Sequence, residues 1–343
     1  MVRNRRLAGF AKTCAILVVG LLVGFGFLGA CVTPATFSAL TYETPPMPRF
    51  EPDRNRFVSF DGAELGLTVW APDAEPEIVI VGVHGMNDYA NAFHMAAPYW
   101  AEHGVKTYAY DQRGFGRSVG RGDWPEEELM REDLRTAVGV ARAAHPEAVL
   151  AVVGISMGGA MTMTAFGSER PPEGVDRLIL SGPGLRGWGA IPLIQRVALW
   201  TSVRARPGWV VRPPGFVKIE PSDNIEMLRR LWTDPLGIRH NKIEQVHGVV
   251  TLMENAHRAA PHIASDVPTL MTYGAKDIVI PERGVKRTAK KLAPHVRTAY
   301  YPNGYHMLLR DLQAEMVFND VLTFLRDPEA ELPSGVGEVP GRN

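Results

Sequence analysis

Six consecutive residues, Gly154-Ile155-Ser156-Met157-Gly158-Gly159, limit what this chain can fold into more than any other stretch. They follow a short apolar run, Ala148-Val-Leu-Ala-Val-Val153, and open a helix that starts at Met157. A run that short, with no polar alternation, reads as a strand buried on both faces. Glycines on either side of a serine, at a strand-to-helix turn, describe a nucleophile elbow. The strained turn lifts the hydroxyl above the sheet edge, and its flanks pack too closely for Cβ atoms. The new helix also brings a backbone N–H and the positive end of its dipole toward that hydroxyl. A bare G-x-S-x-G is a weak signal, so its weight depends on whether the rest of the chain supplies an α/β frame.

The frame is legible. Arg56–Phe60 and Glu64–Trp70 flank Asp61-Gly62, a hairpin signal. Apolar runs at Glu77–Val83, Lys106–Tyr110, Ala148–Val153 and Arg177–Leu180 then alternate with helices near Ala92–His103 and Glu126–Ala144 and the one from Met157. The rhythm resumes with strands at Pro268–Tyr273 and Arg297–Tyr301 and helices near Glu282–Leu292 and Leu312–Leu325. Buried strands alternating with helices mean an α/β fold with a mostly parallel sheet, here of eight strands, flanked by helices. The core occupies residues 55–184 and 263–326. Between them, residues 185–262 break the rhythm and carry Trp188, Ile191, Leu193, Ile194, Leu199, Trp200, Trp209, Val210, Val211 and Trp232. This stretch reads as an inserted, mainly helical cap, whose apolar content suits either a substrate pocket or simple packing.

A serine hydroxyl is a poor nucleophile without a base. Among ten histidines, His306 in Asn303-Gly-Tyr-His306 falls just past the last strand, where catalytic groups collect in open α/β sheets. Asp277, in Gly274-Ala-Lys-Asp277, falls just past the strand before it. Asp266 precedes its strand, and His257, His262 and His295 lack the strand-end placement. The order Ser156, Asp277, His306 is that of a hydrolase triad, with the Asp holding the imidazole tautomer. For an oxyanion the candidates are the backbone N–H groups of Met86, in His84-Gly-Met-Asn87, and of Met157. His84 reads as a structural histidine, and Asp111-Gln-Arg-Gly-Phe-Gly-Arg-Ser118 as a turn that braces neighbouring loops. Both cysteines, Cys14 and Cys31, precede Val32, so the body has no thiol nucleophile or zinc–thiolate site. No cofactor or metal is expected, since no His/Cys/Asp cluster has ligand spacing. Thirty-seven basic residues balance thirty-seven acidic ones, and no nucleic-acid signature is present.

Four blocks, His84-Gly-Met, Asp111–Ser118, Gly154–Gly159 and Asp277 with Gly304-Tyr-His306, together span residues 56–326. On them the chain resembles the monoacylglycerol lipase/lysophospholipase branch of the α/β-hydrolase superfamily, with a serine aminopeptidase S33-type domain. Ile155 departs from the histidine often found before the nucleophile in that branch. The resemblance implies a serine hydrolase that cleaves carboxylic esters of lipid-like substrates, such as a monoacylglycerol or lysophospholipid, through an acyl-enzyme. Acyl transfer with the same triad, and a catalytically silent lipid- or protein-binding scaffold, are the competing readings.

The N-terminus bears on location. Met1-Val-Arg-Asn-Arg-Arg6 and Lys12 precede an apolar run of 19 residues, Cys14 to Val32, which is a secretory-signal pattern close to the length of a membrane span. Leu28-Gly-Ala-Cys31 resembles a bacterial lipobox, which would make Cys31 a lipidated N-terminus and place the protein on the cell envelope. An uncleaved anchor and an ordinary cleaved signal are the alternatives. Residues 32–54, rich in proline, read as a flexible tether, and residues 327–343 as a loose tail.

Overall fold

The structure, a computed structural model, describes residues 36–42, 44–211 and 220–342. The signal-like run and Cys31 lie outside the described residues. In chain order the strands are β1 (Thr36–Phe37), β2 (Arg49–Glu51), β3 (Arg56–Val58), β4 (Glu64–Trp70), β5 (Ile78–Val83), β6 (Val105–Tyr110) and β7 (Trp124–Pro125). They continue with β8 (Val149–Ile155), β9 (Arg177–Ser181), β10 (Val210–Val211), β11 (Asn241–Lys242), β12 (Thr269–Gly274) and β13 (Arg297–Tyr301). The helices are α1 (Ala96–Glu102), α2 (Glu127–Ala144), α3 (Met157–Phe166), α4 (Leu193–Ala205), α5 (Ile225–Thr233), α6 (Ile243–Ala259), α7 (Glu282–Ala289) and α8 (Ala314–Arg326).

Nine strands form one sheet in the order β13-β12-β9-β8-β5-β6-β4-β3-β2. The six from β13 to β6 are parallel and the last three antiparallel. Every residue of β5 and β12 is buried, as expected where helices cover both faces of a parallel sheet. Alternate side chains of β5 feed two cores. Val79, Val81 and Val83 join Leu134, Met161 and Leu252 on one face. Ile78 and Ile80 join Trp100, Phe318 and Val321 of α1 and α8 on the other. The register brings Val83, Gly154, Ser181 and Gly274 to one edge: Val83 pairs with Gly154, Ile155 with Ser181, and Gly274 with Tyr301. Any residue shortly after β5, β8, β12 or β13 therefore emerges at the same carboxyl edge.

Three sequence expectations need correction. The sheet has nine strands, not eight, because Arg49–Glu51 pairs antiparallel with Arg56–Val58 at the sheet edge. Pro48 and Pro52 flank it, and an edge position tolerates proline. The supposed tether is thus a strap over its described length. β1 pairs with β7, the Leu40 N–H donates to Asp61 Oδ2 at 2.9 Å, and Pro46 and Tyr42 lie against Gly62. The C-terminal stretch is not loose either. Val339 is fully buried, and the Arg342 guanidinium donates to the carbonyls of Leu292, Ala293, Pro294 and Val296 at the end of the α7 region. These segments carry no periodicity of their own, so partners distant in sequence order them.

Between β9 and β12 the chain forms α4, α5 and α6 with the short antiparallel β10–β11 pair. Among the described residues no helix is long and apolar enough to cross a membrane.

Candidate active site

Ser156 sits at the turn between β8 and α3 with φ 51° and ψ −114°, a left-handed conformation rare for a side-chain-bearing residue. Three hydrogen bonds hold it there. Its N–H donates to Ser181 O at 3.0 Å, and its carbonyl accepts from Gly184 N at 2.8 Å and Ala160 N at 3.0 Å. The glycines around it are sterically required. A Cβ on Gly158 would lie 2.4 Å from Val83 O and 2.5 Å from His84 O, and one on Gly154 2.8 Å from Gly159 Cα. Gly158→Ala must push α3 off the ends of β5. We expect it to destabilise the fold by about 3 kcal/mol, read as a lower urea midpoint.

The structure brings Ser156, His306 and Asp277 together. Ser156 Oγ–H donates to His306 Nε2 at 2.8 Å. His306 Nδ1–H donates to Asp277 Oδ2 at 2.7 Å. The other Asp277 oxygen accepts the N–H groups of Val279 at 2.8 Å and Ile280 at 2.9 Å, so the carboxylate is fixed by its own loop. Asp277 and His306 are both buried. The loops that carry them are stitched to each other. Ala275 N–H donates to Tyr301 O and Lys276 N–H to Gly304 O, each at 2.9 Å. A Cβ on Gly274 would meet the carbonyls of Gly304 and Tyr305 at 2.4 Å, so only glycine lets the His306 loop approach β12 this closely.

The loop after β5 passes over the serine. A Cβ on Gly85 would be 3.2 Å from Ser156 Cβ and 3.8 Å from its Oγ. Among the described residues neither the Met86 nor the Met157 N–H donates to another protein group. Asn87 follows with φ 67°. His84 is spent on structure. Its Nδ1–H donates to Gly85 O at 2.8 Å, and its Nε2 accepts from Gln112 N–H at 2.8 Å. Burial pushes its pKa down, which keeps the ring neutral and able to accept. The Asp111–Ser118 block is likewise a brace. Asp111 accepts from the N–H groups of Ala90 and Arg117 and from the Arg117 guanidinium.

Ser156 and His306 open on a cavity of about 960 Å3. Its apolar wall is α5 with the segment just after it, and carries Ile225, Leu228, Leu231, Trp232 and Ile238. Of the ten apolar residues that stand out in the insertion, only Trp232 reaches this cavity. Ile191 and Leu199 line a second one of about 500 Å3. Leu193, Ile194, Trp200 and Trp209 face outward, and Trp188 packs on His247 and donates to Thr251. Sequence reasoning misses a buried pair in the cavity wall. Arg310 donates to Asp88 Oδ2 at 2.6 Å and to Ala92 O at 3.1 Å. No sequence signal links two residues that far apart. Among the described residues no cluster of three or more His, Cys, Asp or Glu could hold a metal.

Comparison with known proteins agrees with this fold. A hydrolase family model described as serine aminopeptidase, S33, matches residues 74–313. A monoacylglycerol lipase of Mycolicibacterium smegmatis is 30% identical over 274 residues, covering 78% of this chain and 95% of the relative. A monoglyceride lipase of Rattus norvegicus is 24% identical over 275 residues, covering 79% of this chain and 88% of the relative. Two solved structures share the fold. The Paleococcus ferrophilus monoacylglycerol lipase superimposes with a TM-score of 0.61 at 22% identity, covering 76% of this chain and 98% of its own. A soluble variant of the Saccharomyces cerevisiae monoglyceride lipase, in complex with a substrate analogue, gives 0.64 at 15% identity, covering 87% and 100%.

Proposed function

This chain belongs to the serine aminopeptidase S33 family of α/β-hydrolases, and from that premise we propose that it hydrolyses carboxylic esters of lipid-like substrates, with a monoacylglycerol as the leading candidate. The observation that carries the reading is the unbroken run of hydrogen bonds Ser156–His306–Asp277 opening on an apolar-walled cavity. Ser156 Oγ attacks the ester carbonyl as His306 Nε2 takes its proton. Asp277 holds the Nδ1–H tautomer and stabilises the imidazolium that forms. The Met86 and Met157 N–H groups receive the negative charge on the tetrahedral oxygen, each worth about 3 kcal/mol of barrier. The alcohol leaves with the proton from His306, and an acyl-enzyme remains on Ser156. A water then attacks that ester, activated by the same imidazole, and the acid is released.

The names of the two lipase relatives and the wall of Leu228, Leu231 and Trp232 support a fatty acyl chain over a short acid. The test is turnover by the full chain of monoacylglycerol, lysophospholipid and nitrophenyl esters of increasing length. A preference that rises with acyl length supports the reading. Hydrolysis of only the shortest esters would remove the lipid substrate, and no hydrolysis of any would remove the function.

The same reading puts the enzyme at a lipid surface. The apolar run that ends at Val32, with Cys31 as the candidate lipidated residue, stops four residues short of Thr36, a reach of at most roughly 14 Å. Thr36 pairs with Trp124, whose indole lies on Gly248 of α6. The neighbouring α4 turns Leu193 (72% exposed), Ile194 (78%) and Trp200 (51%) outward, with the Arg204 guanidinium over the Trp200 ring. An apolar helix face edged by arginine suits an anionic bilayer. Trp200→Ser is expected to slow hydrolysis of monoacylglycerol presented in anionic vesicles several-fold and to leave hydrolysis of soluble nitrophenyl acetate as it was. Equal vesicle rates for the two proteins would count against the docking face.

A further inference from the structure

The wall helix α5 is tied at both ends to loops that carry the proposed chemistry. At its C-terminal end, Tyr89 Oη–H donates to Asp234 Oδ2 at 2.7 Å, and Ile238 N–H donates to Asn87 O at 3.0 Å. Both partners lie on the loop that presents Met86. At its N-terminal end the segment Pro221–Asn224 is bolted to the loop that carries His306. Met307 N–H donates to Pro221 O at 2.9 Å. Leu312 N–H donates to Asp223 Oδ1 at 2.9 Å, and the Asn224 side-chain amide to Arg310 O at 3.0 Å. Asn224 Oδ1 also caps α5 by accepting from Met227 N–H at 3.1 Å.

At the centre of this bolt is Asp311. One carboxylate oxygen accepts Ser222 Oγ–H at 2.7 Å, and the other accepts the N–H of Tyr305, the residue before His306, at 2.8 Å. Asp311 and Ser222 are each 1% exposed. We propose that Asp311 is a positioning residue: through Ser222 and the Tyr305 N–H it locks the substrate-wall helix to the His306 loop, so that wall and base are aligned as one unit. The inference rests on the hydrolase reading above and adds to it a residue that touches neither substrate nor Ser156.

The carboxylate is held at a cost to the fold. Burial, with the nearby Asp223 charge, pushes its pKa up to about 6, against the Ser222 and Tyr305 hydrogen bonds and the His306 charge. A carboxyl whose folded pKa lies above its ordinary value favours the fold less when ionised than when protonated. An amide of the same size therefore relieves that cost. It keeps an acceptor for the Tyr305 N–H but turns a neutral donor on Ser222 Oγ, so the hydroxyl must reverse and both bonds lose the charge that strengthens them. If Asp311 served the fold alone, removing its charge would leave the catalytic step unchanged.

The test compares full-length wild type, Asp311→Asn and Ser222→Ala in three measurements. These are the rate of Ser156 modification by a small fluorophosphonate, the thermal unfolding midpoint, and kcat and KM on a long-chain monoacylglycerol. For Asp311→Asn we expect labelling slowed tenfold or more, with a midpoint equal to or above that of wild type. For Ser222→Ala, which cuts the tie of Asp311 to the wall but keeps its Tyr305 contact, we expect KM to rise at least fivefold and kcat to change less. Labelling of Asp311→Asn within twofold of wild type overturns the proposal. So does an unchanged KM in Ser222→Ala, which keeps the proposal falsifiable should Asp311→Asn not fold. A wild type that the fluorophosphonate does not label at all sinks the hydrolase reading instead, and this inference with it.

Discussion

Ser156→Ala is expected to lower kcat on a soluble nitrophenyl ester by about 10⁶-fold, the scale on which a serine hydrolase loses turnover with its nucleophile. The residual rate should still exceed that in water by about 10³-fold, because the Met86 and Met157 N–H groups and the cavity remain. His306 keeps its bond to Asp277 in this variant, so the loss belongs to the nucleophile and not to a collapsed site. A second substitution separates chemistry from strain. Ser156 holds φ 51° and ψ −114°, where a side chain costs about 1–3 kcal/mol. Ser156→Gly removes that strain and gives back roughly 0.5–1 kcal/mol in chain entropy. It should be as inactive as the alanine variant and yet unfold at a higher urea concentration. An inactive glycine variant that is less stable than wild type would mean that the elbow is held without strain. A Ser156→Ala protein within tenfold of wild-type activity would remove Ser156 from the mechanism.

The order of the chain makes this site legible for a geometric reason. Ser156, Asp277 and His306 each follow a short apolar run, and parallel strands in register must end at one edge. Strand-end placement therefore leaves His84, just past β5, and His306 out of the ten histidines, and only His306 also follows the serine and the acid in the chain order of a hydrolase. What stays hidden is what depends on partners far away in the chain. Asp88 and Arg310 meet in the cavity wall, and Ser222 and Asp311 just ahead of α5, with no shared motif. The cavity wall itself is not where the insertion's tryptophans suggest. The face of α5 that carries Leu228, Leu231 and Trp232 lines the site, while α4 turns Leu193, Ile194 and Trp200 to the surface and buries Leu199 and Val203 away from it.

The strap and the C-terminal segment mislead for a related reason. Both are rich in proline or glycine, which signals loop, and a loop with no apolar period suggests looseness. Phe37 fills the space over Gly120, where a Cβ would meet its ring at 2.6 Å, and Arg342 collects four carbonyls. Irregular backbone is ordered wherever its polar groups find partners and its few large side chains find a pocket.

The strap also reaches a buried cluster of three charged side chains, and that cluster gives the largest expected effect on stability. Arg113, just past β6, is fully buried and donates to Asp61 at 2.6 and 2.8 Å and to Asp133 at 2.7 and 2.8 Å. Asp61 sits in the β3–β4 turn and also accepts Leu40 N–H from the strap, and Asp133 lies on α2 and accepts Ser59 Oγ–H. Three elements and the strap thus meet on one guanidinium. Burial pushes the Asp61 carboxyl up, but its bonds to Arg113 and to the Leu40 and Ala63 N–H groups outweigh this and hold it below the ordinary value. Asp133, more deeply buried, is pushed up on balance. Removing the one cation strands two carboxylates in the interior. Breaking a buried pair from one side costs about 3–5 kcal/mol, and with two acids stranded Arg113→Met should fall at the upper end, about 5 kcal/mol at pH 7. That is a large share of the roughly 5–15 kcal/mol that holds a domain together. The deficit should narrow as pH falls. The stranded acids of the variant, raised above their unfolded values, take up protons and lose their penalty, while wild type loses what the depressed Asp61 contributes. Adding Asp133→Asn to Arg113→Met should restore part of the loss at pH 7 and little at pH 4. Urea unfolding of the three proteins at both pH values measures this. A loss below about 1 kcal/mol for Arg113→Met would mean that the cluster is solvated and not a buried brace. Arg113 lines neither cavity, so the molecules of Arg113→Met that remain folded should turn over ester at the wild-type rate, unlike those of Ser156→Ala.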